Sequence, residues 1–188
     1  MRLFVAVRPP ADAVAHAEAA VAPLRVAHPD LRWVPAERWH LTLAFYGEVE
    51  DELVPGLSAR LERAAHRTPS FRLELSGGGQ FGRGRALWAG ARGDLETLRL
   101  LADRSEAAAR KAGVEMGEHR RYKPHLTVGR SRAAVDVRQY VAALDEFSSR
   151  TWTVDELVLV RSNLPRSGVA GEQPRYEAVG RWPLGGAG

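Results

Sequence analysis

Hydrophobic and polar residues alternate along this chain with the period of β-strands in some segments and of α-helices in others. Phe71, Leu73 and Leu75 alternate with Arg72 and Glu74, as in a strand with one buried face and one face in water. Such patterns predict strands at residues 3–7, 31–34, 39–46, 71–75, 86–90, 151–161 and 176–182, and another around residues 125–128.

Apolar residues with helical spacing separate several of these strands. The first helix is predicted to begin after Pro9 and Pro10, because this proline pair interrupts the preceding strand. Glycines predict further breaks: Gly47 ends a strand, residues 77–79 form a turn, and Gly113 ends a helix. The helical stripes are Val14, Ala17, Val21 and Leu24; Leu53, Leu57, Leu61 and Ala64; Leu95, Leu98, Leu101, Ser105, Ala109 and Ala112; and Val137, Val141 and Leu144.

The triplet His-Leu-Thr occurs twice in this pattern, as residues 40–42 and as residues 125–127. On a strand, the histidine and the threonine of each triplet point to the same face. Two imidazoles and two hydroxyls provide an acid, a base and hydrogen-bond donors for phosphate oxygens, which suits phosphoryl transfer without a metal. The histidines are 85 residues apart (125 minus 40), close to half the chain. This spacing predicts a duplicated, two-lobed architecture in which each lobe contributes one motif to a shared cleft.

Length and composition are those of a globular protein. The chain has 188 residues, of which 45% are hydrophobic, and this suits one domain or two small fused lobes. No apolar run approaches the roughly 18 to 20 residues that span a bilayer, and Arg8 interrupts the first apolar segment too early for a signal peptide. We therefore expect a cytoplasmic protein. The absence of cysteine excludes disulfides, Cys-ligated metals and thiol nucleophiles.

The net charge of +4 favours an anionic partner such as nucleic acid. Lys111 and Lys123 are the only lysines among 27 basic residues, so the remaining 25 are arginines. We attribute this bias mainly to the base composition of the genome. An arginine-lined groove would nevertheless bind phosphate through several planar donors at once, which lysine cannot do.

Other chemical interpretations have weaker support in the sequence. The glycine-rich residues 77–84 lack the Lys-Ser or Lys-Thr of a nucleotide-binding P-loop. A metal hydrolase would need carboxylates or further histidines beside the two triplets, and neither triplet contains Asp or Glu. The four remaining histidines show no such pairing, and we interpret them as structural or solvated; they are His16, His28, His66 and His119.

The chain resembles the 2H phosphoesterase superfamily, and within it the bacterial RNA 2′,3′-cyclic phosphodiesterases, historically called 2′-5′ RNA ligases. The resemblance extends over nearly the whole chain and rests on two motifs in the same order with similar flanking residues. The matching segments are residues 2–7 followed by Pro9-Pro10, residues 32–35, 40–45, 47–49 and 122–130, and residues 176–184.

The resemblance implies an α+β fold within one domain at residues 1–188. In this fold two pseudo-symmetric lobes, each an antiparallel sheet with helices on the outside, enclose a central cleft. The implied activity is hydrolysis of RNA 2′,3′-cyclic phosphate ends to 2′-phosphomonoesters without metal or other cofactor. Some members also join or cleave 2′-5′ linkages, so 2′-5′ RNA ligase activity is a further expectation. The expected substrates are RNA with cyclic phosphate ends or small cyclic nucleotides, bound by a monomer that does not associate with membranes.

The family motifs coincide with the two triplets and imply the roles of their side chains. His40 and His125 are the implied catalytic pair, one neutral and activating water, the other protonated and donating to the departing ribose O3′. We favour His40 as the acid and His125 as the base. Thr42 and Thr127 would donate hydrogen bonds to the phosphate oxygens, and Arg130 would neutralise phosphate charge.

Two further positions and one alternative function remain open. In a regular strand, Arg130 would point away from the face that carries Thr127, and a bulge at Gly129 would bring it back. Phe4 is the candidate for stacking on a nucleobase, because the resemblance places the first strand beside the cleft. The alternative function is a non-catalytic module that binds RNA ends or nucleotides in the same cleft.

Overall fold

The computed structural model describes residues 1–186, and its regular elements are a mixture of strands and helices. The strands are β1 (Arg2–Val7), β2 (Arg32–Trp33), β3 (Leu41–Glu48), β4 (Phe71–Phe81), β5 (Ala86–Gly93), β6 (Leu126–Arg130), β7 (Trp152–Val154), β8 (Glu156–Asn163) and β9 (Arg175–Pro183). The α-helices are α1 (Ala11–Ala27), α2 (Val54–His66), α3 (Leu95–Lys111) and α4 (Arg138–Asp145).

The strands form two antiparallel sheets, which confirms the predicted α+β class. The first sheet has the order β3-β1-β8-β9 and the second the order β2-β6-β5-β4-β7. Each sheet contains one strand that follows a His-Leu-Thr histidine, β3 in the first and β6 in the second. The sheets are not successive halves of the chain, because β2 joins the second sheet and β8 and β9 complete the first.

Alternate side chains of strand β1 point to opposite faces of the first sheet, one toward the core and one toward the cleft. Leu3, Val5 and Val7 are fully buried in the main hydrophobic core with residues of the helices. Phe4 and Ala6 lie on the opposite face of the sheet, in a smaller apolar cluster with residues of β8 and β9. Helices α2 and α3 pack against each other and against this sheet, while α4 packs on β4. The face without helices is therefore free to line a cavity.

The glycines at residues 77–79 do not turn the chain, contrary to the prediction. Strand β4 continues through them, and the turn follows at residues 82–85, where Gly82 and Gly84 have positive φ. A Cβ added at Gly79 would lie 2.1 Å from Trp88 Cζ2, and one at Gly78 would lie 2.5 Å from the Leu144 Cβ. These glycines are needed for close packing across the sheet.

Two other strand ends differ from the prediction. Gly47 lies inside β3, which ends at Glu48, and its φ of +67° accommodates an irregularity in the pairing with β1. The catalytic candidates His40 and His125 each occupy the residue immediately before a strand.

Within residues 1–186, no helix is both long enough and apolar enough to cross a membrane.

Candidate active site

The two motif histidines are held in the same way. His40 Nδ1 lies 2.8 Å from the carbonyl oxygen of Arg38, and His125 Nδ1 lies 2.8 Å from that of Lys123. A carbonyl oxygen can only accept, so Nδ1 carries the hydrogen in both rings. Each Nε2 is consequently left to exchange a proton with a bound molecule. The repeated contact to the residue two positions earlier fixes both the ring orientation and the tautomer.

Aromatic rings complete the surroundings of each imidazole. Phe4 stacks on His40 with ring centroids 4.7 Å apart, and Tyr176 meets the same imidazole edge-on at 5.4 Å. In the other sheet, Phe81 packs at right angles to His125 with centroids 4.9 Å apart. These contacts restrict ring rotation and exclude water from one side of each imidazole.

A β-bulge follows each triplet at the same motif position. Residue Leu43 has no partner in the pairing of β3 with β1, and Val128 has none in the pairing of β6 with β5. The extra residue reverses the alternation of side chains beyond it. Arg130 therefore lies on the same face as Thr127, as the bulge hypothesis required, although the bulge is centred on Val128 and not on Gly129.

The two sheets enclose a cavity of about 430 Å³, here called the central cavity. All six residues predicted for the site line this cavity. They are His40 and Thr42 at the start of β3, His125, Thr127 and Arg130 in or just before β6, and Phe4 on β1. The lining residues are Arg2, Phe4, Arg32, Val34, Arg38, His40, Thr42, Phe45, His125, Thr127, Arg130, Ser162, Leu164, Glu172, Gln173, Pro174 and Tyr176. The fold thus brings together side chains that are up to 174 positions apart, from Arg2 to Tyr176.

Burial and neighbouring cations lower the pKa of both histidines. Burial is the main cause for His40, whose pKa falls from 6.5 to about 4, and the nearby guanidinium groups of Arg8, Arg38 and Arg130 lower it further. The hydrogen bond to the Arg38 carbonyl opposes this shift. Burial also lowers the pKa of His125, with smaller contributions from nearby cations. Without a bound anion, His40 is therefore neutral at pH 7.

Phe4 occupies a more enclosed position than its predicted role suggests. Its side chain is only 3% exposed, one ring face is stacked on His40, and Tyr176 packs against it with centroids 5.1 Å apart. Its stacking on a nucleobase stays a prediction. The open aromatic ring of the cavity is Phe45, which is 50% exposed.

Several lining residues were missed by the sequence analysis. Arg38 places its guanidinium 4.4 Å from the ring centroid of Tyr176 and donates a hydrogen bond to Gln173. Arg38 lies two residues before His40, outside the triplet, and Tyr176 lies on β9, which reaches the site through its pairing with β8. Phe45 did carry a signal, since it stands three residues after Thr42 just as Arg130 stands three residues after Thr127.

The side chains of the cavity are not arranged as a metal site. In the part of the chain that the structure describes, no group of three or more His, Asp or Glu side chains is close enough to hold a metal ion. The polar side chains around the central cavity instead carry imidazole, hydroxyl and guanidinium groups, with one carboxamide at Gln173 and one carboxylate at Glu172. Such a set binds an anion and transfers protons to or from it.

Comparison with known proteins agrees with this geometry. The sequence model of the 2′-5′ RNA ligase superfamily matches residues 9–166. The chain belongs to this superfamily. It is 32% identical to the RNA 2′,3′-cyclic phosphodiesterase of Escherichia coli, over 97% of this chain and 96% of that protein. The enzyme of the same name from Thermus thermophilus is 34% identical, over 99% and 91% of the two chains.

The superfamily relationship extends to solved structures. The crystal structure of a Thermus thermophilus protein, TT0787, superimposes with a TM-score of 0.77 at 31% identity, covering 99% of both chains. The chain spans about half, 48%, of the length of a further relative, an RNA 2′,3′-cyclic phosphodiesterase of Geobacillus stearothermophilus that is 30% identical to it. The superposition on the Thermus thermophilus structure shows that the fold is shared over essentially the whole of this chain.

Proposed function

We propose that the protein hydrolyses RNA 2′,3′-cyclic phosphate ends to 2′-phosphomonoesters, with His40 and His125 as a metal-free acid and base. The observation that carries the proposal is the matched pair of imidazoles lining one cavity, each with Nδ1 held by a backbone carbonyl and Nε2 available. The relatives named as RNA 2′,3′-cyclic phosphodiesterases support the choice of substrate.

The reaction needs one proton removed and one supplied. One histidine accepts a proton from water through Nε2 while the water oxygen bonds to phosphorus. The bond from phosphorus to ribose O3′ breaks on the opposite side, and the second histidine donates its Nε2 proton to that oxygen. A 2′-phosphate remains, and the two histidines have exchanged protonation states. Proton exchange with solvent restores them before the next turnover.

The depressed pKa values bear on the division of roles between His40 and His125. The acid must be protonated, yet His40 has a pKa of about 4 without a bound anion. A bound phosphodiester offsets the positive charge of Arg38 and Arg130 and so raises the pKa of the nearer imidazole. If His40 is the acid, as we favour, the bound substrate must raise its pKa far enough for the imidazole to be protonated. If the roles are reversed, the bound substrate must raise the pKa of His125 in the same way.

Three other side chains stabilise the phosphate in this proposal. Thr42 and Thr127 donate hydroxyl hydrogen bonds to the non-bridging oxygens from opposite sheets. Arg130 neutralises the charge that develops on these oxygens in the transition state. None of the three transfers a proton, so replacing one of them should reduce the rate less than replacing a histidine does.

The test is incubation of the protein with a short RNA ending in a 2′,3′-cyclic phosphate, with identification of the terminal monoester. We expect a 2′-phosphate, unchanged rates with EDTA, and a loss of about 10²- to 10⁴-fold for His40→Ala or His125→Ala. His119→Ala is the matched control, because His119 lies outside the cavity and contacts Glu106. Formation of a 3′-phosphate, or loss of activity with EDTA, would contradict the mechanism.

The same experiment separates hydrolysis from the alternative function. A non-catalytic module would bind the cyclic phosphate end tightly and leave it intact at any pH. Incubation with an acceptor RNA bearing a 5′-hydroxyl tests the 2′-5′ RNA ligase activity that the superfamily name suggests. Ligation forms a linkage from the same cyclic phosphate when a hydroxyl replaces water as the attacking group.

A further inference from the structure

A second groove lies next to the central cavity, at the end of the first sheet. This side groove has a volume of about 900 Å³, and its walls include Arg2, Arg161, Ser162, Leu164, Arg166 and Arg175. Arg2, Ser162 and Leu164 also line the central cavity. The two spaces therefore adjoin each other and share these walls.

The side groove carries more positive than negative charge, with four guanidinium groups and the N-terminal ammonium against three carboxylates. Four guanidinium groups line it, and none forms a salt bridge to a carboxylate within residues 1–186. The three carboxylates of the groove have other partners. Glu48 lies 3.6 Å from the N-terminal ammonium, Glu172 accepts from Ser167, and Glu177 lies 3.4 Å from Asn163 Nδ2. The groove therefore keeps a net positive charge that can attract an anion, although Glu177 stands opposite Arg161 in the pairing of β8 with β9.

Exposed apolar side chains connect the histidines with this groove. Phe45 and Leu164, 50% and 52% exposed, both line the central cavity. Arg2 lies against the ring of Phe45, 5.0 Å from its centroid, and also lines the side groove. Unpaired hydrophobic surface at this junction suits a nucleoside, whose base and ribose need a partly apolar contact.

We infer that the side groove binds the phosphate backbone of the RNA chain on the 5′ side of the terminal nucleotide. A cyclic phosphate held between the histidines leaves the terminal nucleoside beside Phe45 and Leu164. The next phosphate, attached at the 5′ oxygen of that nucleoside, then enters the side groove past Arg2. Arg161 and Arg175, on the neighbouring strands β8 and β9, contact this backbone. The inference rests on the proposed function and makes an oligonucleotide a better substrate than a mononucleotide.

The first test compares kcat/KM for a 2′,3′-cyclic mononucleotide and for a pentanucleotide with the same cyclic phosphate end. We expect the pentanucleotide to be preferred by the wild type, and the double variant Arg161→Gln, Arg175→Gln to lower its kcat/KM about tenfold. The mononucleotide value should change by less than about twofold. The matched control is the double variant Arg63→Gln, Arg181→Gln, which removes the same charge from exposed positions outside both spaces.

The second test measures binding and does not depend on turnover. A fluorescent RNA pentanucleotide ending in a 2′-phosphate is titrated with wild type and with the double variant at several salt concentrations. Loss of two phosphate contacts should reduce the slope of log Kd against log salt by about 1.4.

The two tests separate the inference from the proposed function. Equal slopes in the wild type and the double variant, or equal effects of the groove and control variants, would overturn the inference, even if hydrolysis is observed. Absence of hydrolysis with a reduced slope would instead refute the proposed function and leave the groove as a binding site for RNA.

Discussion

The low pKa of His40 predicts that this one side chain makes folding stability depend on pH. An unfolded chain protonates the imidazole at its ordinary pKa of 6.5, whereas the folded protein does so only near pH 4. Between these values the unfolded state binds more protons than the folded state. The free energy of unfolding therefore falls as the pH falls through this window, and the contribution is absent above it.

The size of the effect follows from the two pKa values. At pH 5 nearly all unfolded molecules but few folded molecules carry the proton on His40, which lowers the free energy of unfolding by about 2 kcal/mol. In His40→Asn this contribution is lost, while every other titrating group remains. We therefore expect the decrease in stability between pH 8 and pH 5 to be about 2 kcal/mol smaller in the variant than in the wild type.

Urea unfolding followed by circular dichroism at the two pH values measures this difference. The buffers must contain no phosphate or other multivalent anion, since an anion in the central cavity would raise the pKa of the imidazole. His66→Asn is the matched control, because His66 is exposed on α2 and lies outside the central cavity. If wild type and His40→Asn lose the same stability between pH 8 and pH 5, the description of His40 as desolvated and surrounded by cations is wrong.

Three further predictions concern packing and anion binding. Gly79→Ala should lower stability by at least about 2 kcal/mol in thermal unfolding, because its Cβ would overlap the ring of Trp88, whereas Gly117→Ala meets no atom within 4 Å and should not. Tyr46→Phe should cost about 1 kcal/mol, since the buried hydroxyl donates to the Ser105 carbonyl at 2.9 Å, and unchanged urea unfolding would contradict this. Binding of adenosine 2′-monophosphate at pH 7 should take up protons, because the anion raises the lowered pKa values of both motif histidines. Calorimetry in two buffers of different ionisation enthalpy measures this uptake, and equal binding enthalpies in the two buffers would contradict the prediction.

The sequence predicted the elements whose formation is decided locally. Helix α3 was predicted because its apolar stripe and its final glycine, Gly113, are both encoded within about 20 consecutive residues. The glycines of β4 were misinterpreted for the opposite reason. Their role depends on Trp88 and Leu144, which are adjacent only after folding. Glycine content alone does not distinguish a turn from a position where another side chain approaches the backbone.

The site was predictable to the extent that its residues repeat. His40 and His125 were found because the same triplet stands at the start of both strands, and the structure places them around one cavity. Arg38 and Tyr176 were not found, since one precedes the first motif and the other lies on β9, which reaches the site through its pairing with β8. A residue contributed by strand pairing has no local sequence signal. Among the cations that lower the pKa of His40, Arg8 and Arg130 come near it only through the fold, whereas Arg38 is its neighbour in the sequence.

The matching bulges explain how one repeated motif produces a cavity with two unlike sides. At Leu43 and at Val128, the bulge turns the third residue after the threonine toward the same face as that threonine. That residue is Phe45 in the first sheet and Arg130 in the second, so equivalent backbone positions present an aromatic ring and a cation. Since the histidines and threonines are the same in both copies, this pair of residues is where the two copies of the motif differ toward the cavity. In the proposed function, Arg130 offsets phosphate charge from the second sheet, while Phe45 offers the attached nucleoside an apolar surface from the first.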